Sequence, residues 1–146
     1  MKRSLIAALI ALPGFASALP AVSGGADRGD ATVSGAVKMT STGQVEGALM
    51  MVLRPTVPDS DVLALSCTYD VFYNLRVVGN VASFDARGRC IALQDDGSLV
   101  SSQVANHFTI TDNGAGPDGL DVNFYGPNGP AVPGGPVSFG DFTVTP

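Results

Sequence analysis

Asn106-His107-Phe108-Thr109-Ile110-Thr111-Asp112-Asn113-Gly114-Ala115-Gly116-Pro117-Asp118-Gly119-Leu120-Asp121-Val122-Asn123-Phe124-Tyr125-Gly126 reads as strand, loop, strand. Phe108 and Ile110 point one way, and His107, Thr109 and Thr111 point the other. This is the two-residue period of a half-buried β-strand. Residues 112–119 then gather Asp, Asn, Pro and Gly, each suited to a turn. Alternation resumes with Leu120, Val122 and Phe124 on one face and Asp121, Asn123 and Tyr125 on the other.

The rest of the chain extends this pattern. Residues 31–39 form a strand candidate with Val33 and Val37 at alternate positions around Gly35. A turn at residues 41–44 leads to a second strand over residues 45–54. Its continuous apolar run, residues 48–53, is short, follows Gly47 and is closed by Pro55 and Pro58, which favours strand over helix. Residues 69–77 place Tyr69, Val71, Tyr73, Leu75 and Val77 at odd positions, the clearest β signal in the sequence. That spacing predicts all five in the core. Gly79-Asn80 reads as a turn or bulge, residues 81–84 as a strand, Asp85-Ala86-Arg87-Gly88 as a hairpin turn and Asp95-Asp96-Gly97-Ser98 as another. Residues 127–136 hold four prolines and three glycines, a composition that predicts no ladder. Gly140 suggests a bulge in the last strand, residues 137–145, because Phe139 and Phe142 would otherwise face opposite sides. No segment after the N-terminal region shows a helical period. About eight short strands with frequent turns predict an all-β, antiparallel β-sandwich or small barrel.

The N-terminal residues predict export. Lys2 and Arg3 precede an apolar run over residues 5–12, and Ala16-Ser17-Ala18 follows. A basic start, a short apolar stretch and a small-x-small site describe a secretory signal peptide. The run is too short to span a membrane as a helix. Cleavage is expected after Ala18, so the mature chain would begin at Leu19. The expected organisation is a signal peptide over residues 1–18, a flexible leader over 19–30 and a single β domain over 31–146. The expected location is secreted, extracellular or periplasmic, with no membrane span after cleavage. An outer-membrane barrel is disfavoured by the continuous apolar run, the shortage of aromatics for girdles and the proline-rich tail.

Thirteen acidic residues against eight basic ones give a net charge of −5. Glu46 is the only glutamate, and Lys38 is the only lysine beyond the N-terminal region. Asp favours turns and caps, whereas Glu and Lys favour helix, so the choice of charges again points to strands joined by tight loops. An acidic chain without a basic cluster argues against nucleic acid and against anionic membrane as partners. The two cysteines, Cys67 and Cys90, both follow the export signal, so a disulfide is expected. Two cysteines and one distant histidine lack zinc-ligand spacing.

Val78-Gly79-Asn80-Val81-Ala82-Ser83-Phe84, then Gly88-Arg89-Cys90, then the 108–118 stretch resemble a module of secreted bacterial proteins, the post-COAP type. There a V-x-G-N-x-A-x-F strand precedes a cysteine and then a V-x-D-N-G-x-P-G turn. The likeness covers about the second half of the chain beyond the signal. The turn here reads Gly-Ala-Gly-Pro-Asp in place of Gly-x-Pro-Gly. The resemblance implies a secreted β module and supplies no catalytic residue.

Three sets of residues can carry chemistry. Asp112, Asn113, Asp118 and Asp121 offer oxygen ligands for calcium. Their spacing is not that of an EF-hand and they lack a terminal bidentate glutamate, so a turn that bonds its own backbone is the competing reading. His107, the only histidine, is the natural general base near neutral pH. It sits opposite the apolar face of its strand and no Gly-x-Ser-x-Gly elbow accompanies it. Glu46 with an aspartate could make a glycosidase pair, but the sequence has no Trp to supply a sugar platform. The sequence therefore predicts no catalytic residue and no cofactor. It predicts a secreted, non-catalytic structural or binding module with an extracellular or cell-surface partner. The alternatives are a small hydrolase using His107 and a calcium-binding surface domain.

Overall fold

A computed structural model describes residues 18–54, 61–124 and 132–146. Most of the expected signal peptide therefore lies outside the described residues. Among the described residues nine antiparallel strands form one curled sheet: β1 (Ala21–Asp27), β2 (Ala31–Met39), β3 (Val45–Leu53), β4 (Val62–Val78), β5 (Val81–Gln94), β6 (Leu99–Thr111), β7 (Gly119–Phe124), β8 (Val132–Pro136) and β9 (Phe139–Thr145). Neighbours in sequence are neighbours in the sheet from β1 through β8, and β9 adds beyond β1. The fold is all-β, as the alternation predicts.

The alternating apolar residues line the inside of the curl. Val33 and Val37 of β2, Leu49, Met51 and Leu53 of β3, and Phe108 and Ile110 of β6 are buried together with Leu120 and Val122 of β7. Met50, within the continuous apolar run, faces out. At the centre Phe108 stacks on Phe84 and meets Tyr69 edge to face, with ring centroids 5.2 Å apart in both contacts. Aromatic contacts of this kind add to the area that the rings bury. Asn106 is also fully buried there, and the Tyr69 hydroxyl donates to its Oδ1 at 2.8 Å. Burial raises the pKa of that phenol.

Tight curling needs close backbone approach. Gly24 and Gly35 face each other across β1 and β2, both with positive φ. A Cβ on Gly35 would run into the Ala48 carbonyl of β3. Here glycine lets the strands bend where any side chain would collide.

Several expectations from the sequence are corrected. Residues 19–30, read as a flexible leader, contain β1, which is paired along its length with β2 and with β9. Its small residues hid it: Val22 and Ala26 supply the buried side chains, and the two backbone ladders supply the rest. Asp85-Ala86-Arg87-Gly88, read as a hairpin turn, lies in the middle of β5, where β4 and β6 pair with it on both sides. Pairing on both sides overrides local turn chemistry. Residues 132–136 do form a ladder, as edge strand β8 paired, among the described residues, with β7 alone. An edge position tolerates Pro133 and Pro136 because one side of the strand needs no donors.

The register of β4 with β5 shifts three times, between Val62 and Ala64, between Tyr69 and Val71 and between Tyr73 and Arg76. The last two interrupt the alternation of residues 69–77. Each extra residue flips which side chains face in. Tyr69 is buried, but Val71 is 52 % exposed while Phe72 is 6 % exposed. The last shift restores the phase, and Leu75 is buried again. Tyr73 therefore lies outside the core, under the Arg87 guanidinium at 5.5 Å. Gly140 marks no bulge: β9 keeps continuous register with β1, and Phe139 and Phe142 do face opposite sides, one 82 % exposed and the other buried.

Cys67 and Cys90 are bridged. They sit directly opposite each other within β4 and β5, away from the strand ends. Their Cα atoms are 4.0 Å apart, the closer of the two antiparallel spacings. The bond joins two strands already paired at the middle of the sheet.

Candidate functional site

The loop joining β6 to β7 gathers three of the four oxygen-bearing residues that the sequence singles out. Asp112 Oδ1 accepts from the Gly114 N–H at 2.9 Å, and its Oδ2 accepts from the Val144 N–H at 3.1 Å. Asp118 Oδ1 accepts from the Asn113 N–H at 2.8 Å, and its Oδ2 accepts from the Phe142 N–H at 2.5 Å. Asn113 Nδ2 donates to the Pro117 carbonyl, and Asn80 Nδ2 donates to the Asp112 carbonyl, each at 2.7 Å. Asp118 is 1 % exposed.

Phe142 and Val144 belong to β9, two residues apart, so both N–H groups leave the strand on the same side. That side is β9's outer edge, away from β1. The two carboxylates thus stand where the next strand would be. The Val137 N–H adds a bond to the Asp118 carbonyl, and Arg28 Nη1 donates to the Leu120 carbonyl at 3.2 Å. Arg28 is itself held by Asp30 at 2.7 Å. These contacts close the curled sheet across a seam that no strand-to-strand ladder bridges among the described residues. The N–H groups of Gly114 and Val144 hold the Asp112 carboxyl below the usual carboxylate value.

Asp121 stands apart on the outer face of β7, with Asn123 Nδ2 at 3.4 Å. The four candidate calcium ligands thus do not converge, and the facing oxygens of Asp112 and Asp118 are directed at backbone donors. Among the described residues no group of three His, Cys, Asp or Glu is placed to hold a metal ion.

His107 lies on the outer face of β6, opposite Asp85 on β5 and Asn123 on β7. Its Nδ1 is 2.8 Å from Asp85 Oδ1. Asn74 Nδ2 donates to the other oxygen, Asp85 Oδ2, at 2.6 Å. Asn74 occupies the irregularity of β4 between Tyr73 and Arg76 with φ of 58°, a left-handed conformation that asparagine tolerates better than most residues. The irregularity thus carries Asn74 to a carboxylate covered by strand neighbours. Sequence reading missed both Asp85 and Asn74. Asp85 looked like a turn residue, and only cross-strand register sets it against His107.

A histidine oriented by a carboxylate is two thirds of an acyl-transfer triad. The missing third is a nucleophile: among the described residues no hydroxyl hydrogen-bonds to the imidazole, and both cysteines are oxidised. The neighbouring groove is lined by Gln44, Glu46, Tyr73 and Asn74, without His107. A second concavity, beside the β6–β7 loop, takes in Thr109, Thr111, Asp118 and Asp121 but neither His107 nor Asp112. Glu46 pairs with Lys38 at 3.0 Å on the exposed face of β2 and β3, not with an aspartate. No helix among the described residues is long and apolar enough to cross a membrane. No family model, curated protein or solved structure gives a significant match to this chain.

Proposed function

We propose that this chain is a secreted, non-catalytic structural or binding module of the extracellular or periplasmic space. One observation carries the reading. Asp112 and Asp118, the acidic residues best placed for chemistry, serve the seam as acceptors for β9. The basic-apolar-small pattern of residues 2–18 and the bridged cysteines fit export to an oxidising compartment. The likeness to secreted β modules points the same way.

The His107–Asp85 bond favours one competing reading, a small hydrolase in which His107 is the general base. The two separate by assay. The purified protein is expected to turn over none of a panel of activated esters, peptides and aryl glycosides. Turnover above buffer that is abolished in His107→Gln would establish the hydrolase instead. Export is checked by N-terminal sequencing of the extracellular fraction, which should begin at Leu19. Calcium at about 10 mM should raise Tm no more than magnesium does, whereas a site with a Kd of about 0.1–1 mM would add roughly 1.4–2.7 kcal/mol.

A further inference from the structure

We propose that the first half of β6 is a self-association edge. A second copy of this chain adds antiparallel along residues 99–105, about a two-fold axis at Ser102. β5 pairs with these residues on one side. On the other side the described part of β7 reaches only as far as Asn106, opposite Phe124, and no other strand lies beside residues 99–105 among the described residues.

The direction of the open hydrogen-bonding groups follows from the ends of β6. The Gln94 N–H donates to the Ser98 carbonyl, and the Asp112 N–H donates to the Asn80 carbonyl. Even-numbered residues of β6 therefore bond towards β5. Leu99, Ser101, Gln103 and Ala105 turn their N–H and C=O groups to the open side.

Natural edge strands are blunted by lysine, proline, inward charge or a bulge. Leu99-Val100-Ser101-Ser102-Gln103-Val104-Ala105 has no proline and no charge, and its register with β5 is unbroken. Its order is also self-complementary. An antiparallel copy centred on Ser102 sets Leu99 against Ala105, Val100 against Val104 and Ser101 against Gln103. Apolar meets apolar and polar meets polar on both faces, as an isologous contact requires. This symmetry selects a second copy over an unrelated strand. Leu99 is 69 % exposed and Val100 47 %, and they project from opposite faces, so both faces gain from the pairing. Leu93, directly opposite Leu99 on β5, and Ile91 extend the exposed apolar surface.

The pairing makes the odd residues hydrogen-bonded pairs and leaves Ser102 facing its own symmetry mate as a non-hydrogen-bonded pair. Sedimentation equilibrium of the purified protein should show a dimer at about 100 μM, the regime of small interfaces, that dissociates on dilution. Ser101→Pro removes an outward N–H without touching the ladder to β5. Ser102→Lys sets two ammonium groups against each other at the axis. Each should weaken the dimer by about tenfold or more, with the Tm of the dilute protein unchanged. If Ser101→Pro does not fold, Ser102→Lys decides alone. Ser102→Cys should oxidise to a covalent dimer, because Cα atoms about 4.5 Å apart can be bridged, whereas Leu99→Cys should not. A monomer across the concentration range, a dimer indifferent to Ser102→Lys, or equal cross-linking at both positions would overturn the assignment.

Discussion

The outer edge of β9 and the open half of β6 pose the same problem and are handled in opposite ways. Both present a row of backbone N–H and C=O groups with no strand beside them among the described residues. On β9 the row meets Asp112 and Asp118, whose carboxylates accept the N–H groups of Val144 and Phe142. On β6 the row over residues 99–105 carries no charge and, among the described residues, no cap. The difference teaches where a carboxylate can replace a strand. A buried N–H costs free energy unless it is bonded, and β9 is folded over the core, where Phe142 is buried. Most of the open half of β6 is exposed, where water can satisfy edge groups. The seam must be capped for the chain to fold, while the β6 edge need not be.

The largest expected effect breaks the capped edge. Asp118→Ala leaves the N–H groups of Phe142 and Asn113 without their acceptor. Phe142 is buried, so its orphaned donor should cost roughly 1–3 kcal/mol, and the exposed Asn113 adds less. Thermal unfolding measures it. A loss below about 0.5 kcal/mol, the range of ordinary surface changes, would mean that the seam is not what holds β9.

A smaller effect tests Asn106, the residue at which β6 passes from its open half to its half paired with β7. Tyr69→Phe removes the hydroxyl that donates to Asn106 Oδ1 at 2.8 Å. The orphaned amide oxygen should cost about 1–2 kcal/mol. Hydrogen exchange should show the loss along the β6–β7 pair. Unchanged protection there would detach the buried amide from that boundary.

The next test is the pH dependence of the cap. Asp112 is held below its ordinary value of 3.8 by the N–H groups of Gly114 and Val144. Its folded form therefore prefers the charged state. The stabilisation is fully present above 3.8 and is lost as pH falls through the lower folded value. Asp27, Asp30 and Asp96 are also held low, so wild-type Tm should fall through several groups. Asp112→Asn should flatten that fall between about pH 4 and pH 2, since one linked proton is removed. Identical slopes would show that the Asp112 carboxylate carries no charge-dependent part of the seam.

The smallest effect belongs to the bare edge. Ser101→Pro in dilute protein should change stability by less than about 0.5 kcal/mol, because the lost N–H faces solvent. A large loss would mean that this edge is bonded within one chain.

Much of the fold was legible in the sequence. Phe108, Ile110, Leu120 and Val122 alternate and are buried as the period requires. Gly79-Asn80 turns β4 into β5, and Val78 and Val81 pair directly across it. The site was less legible. Asp112 and Asp118 stood out as acidic loop residues, but their partners lie 32 and 24 residues away in sequence. Asp85 and Asn74 gave no signal, since one resembles a turn residue and the other depends on an irregularity of β4. The strand β1 was hidden because a strand bonded on both sides needs few large side chains.

Sequence alone determined the elements whose cause is local. Two-residue alternation fixed which faces are apolar, turn residues fixed most hairpins, and the composition fixed an all-β class. Only the tertiary structure decided how the sheet closes and where register slips. The bulges of β4 exchange Val71 for Phe72 in the core, and the seam joins a mid-chain loop to the last strand. Both depend on what lies across the sheet: a side chain's period is written along its own strand, whereas the partner of a carboxylate or an edge N–H is set by a strand that the sequence places far away.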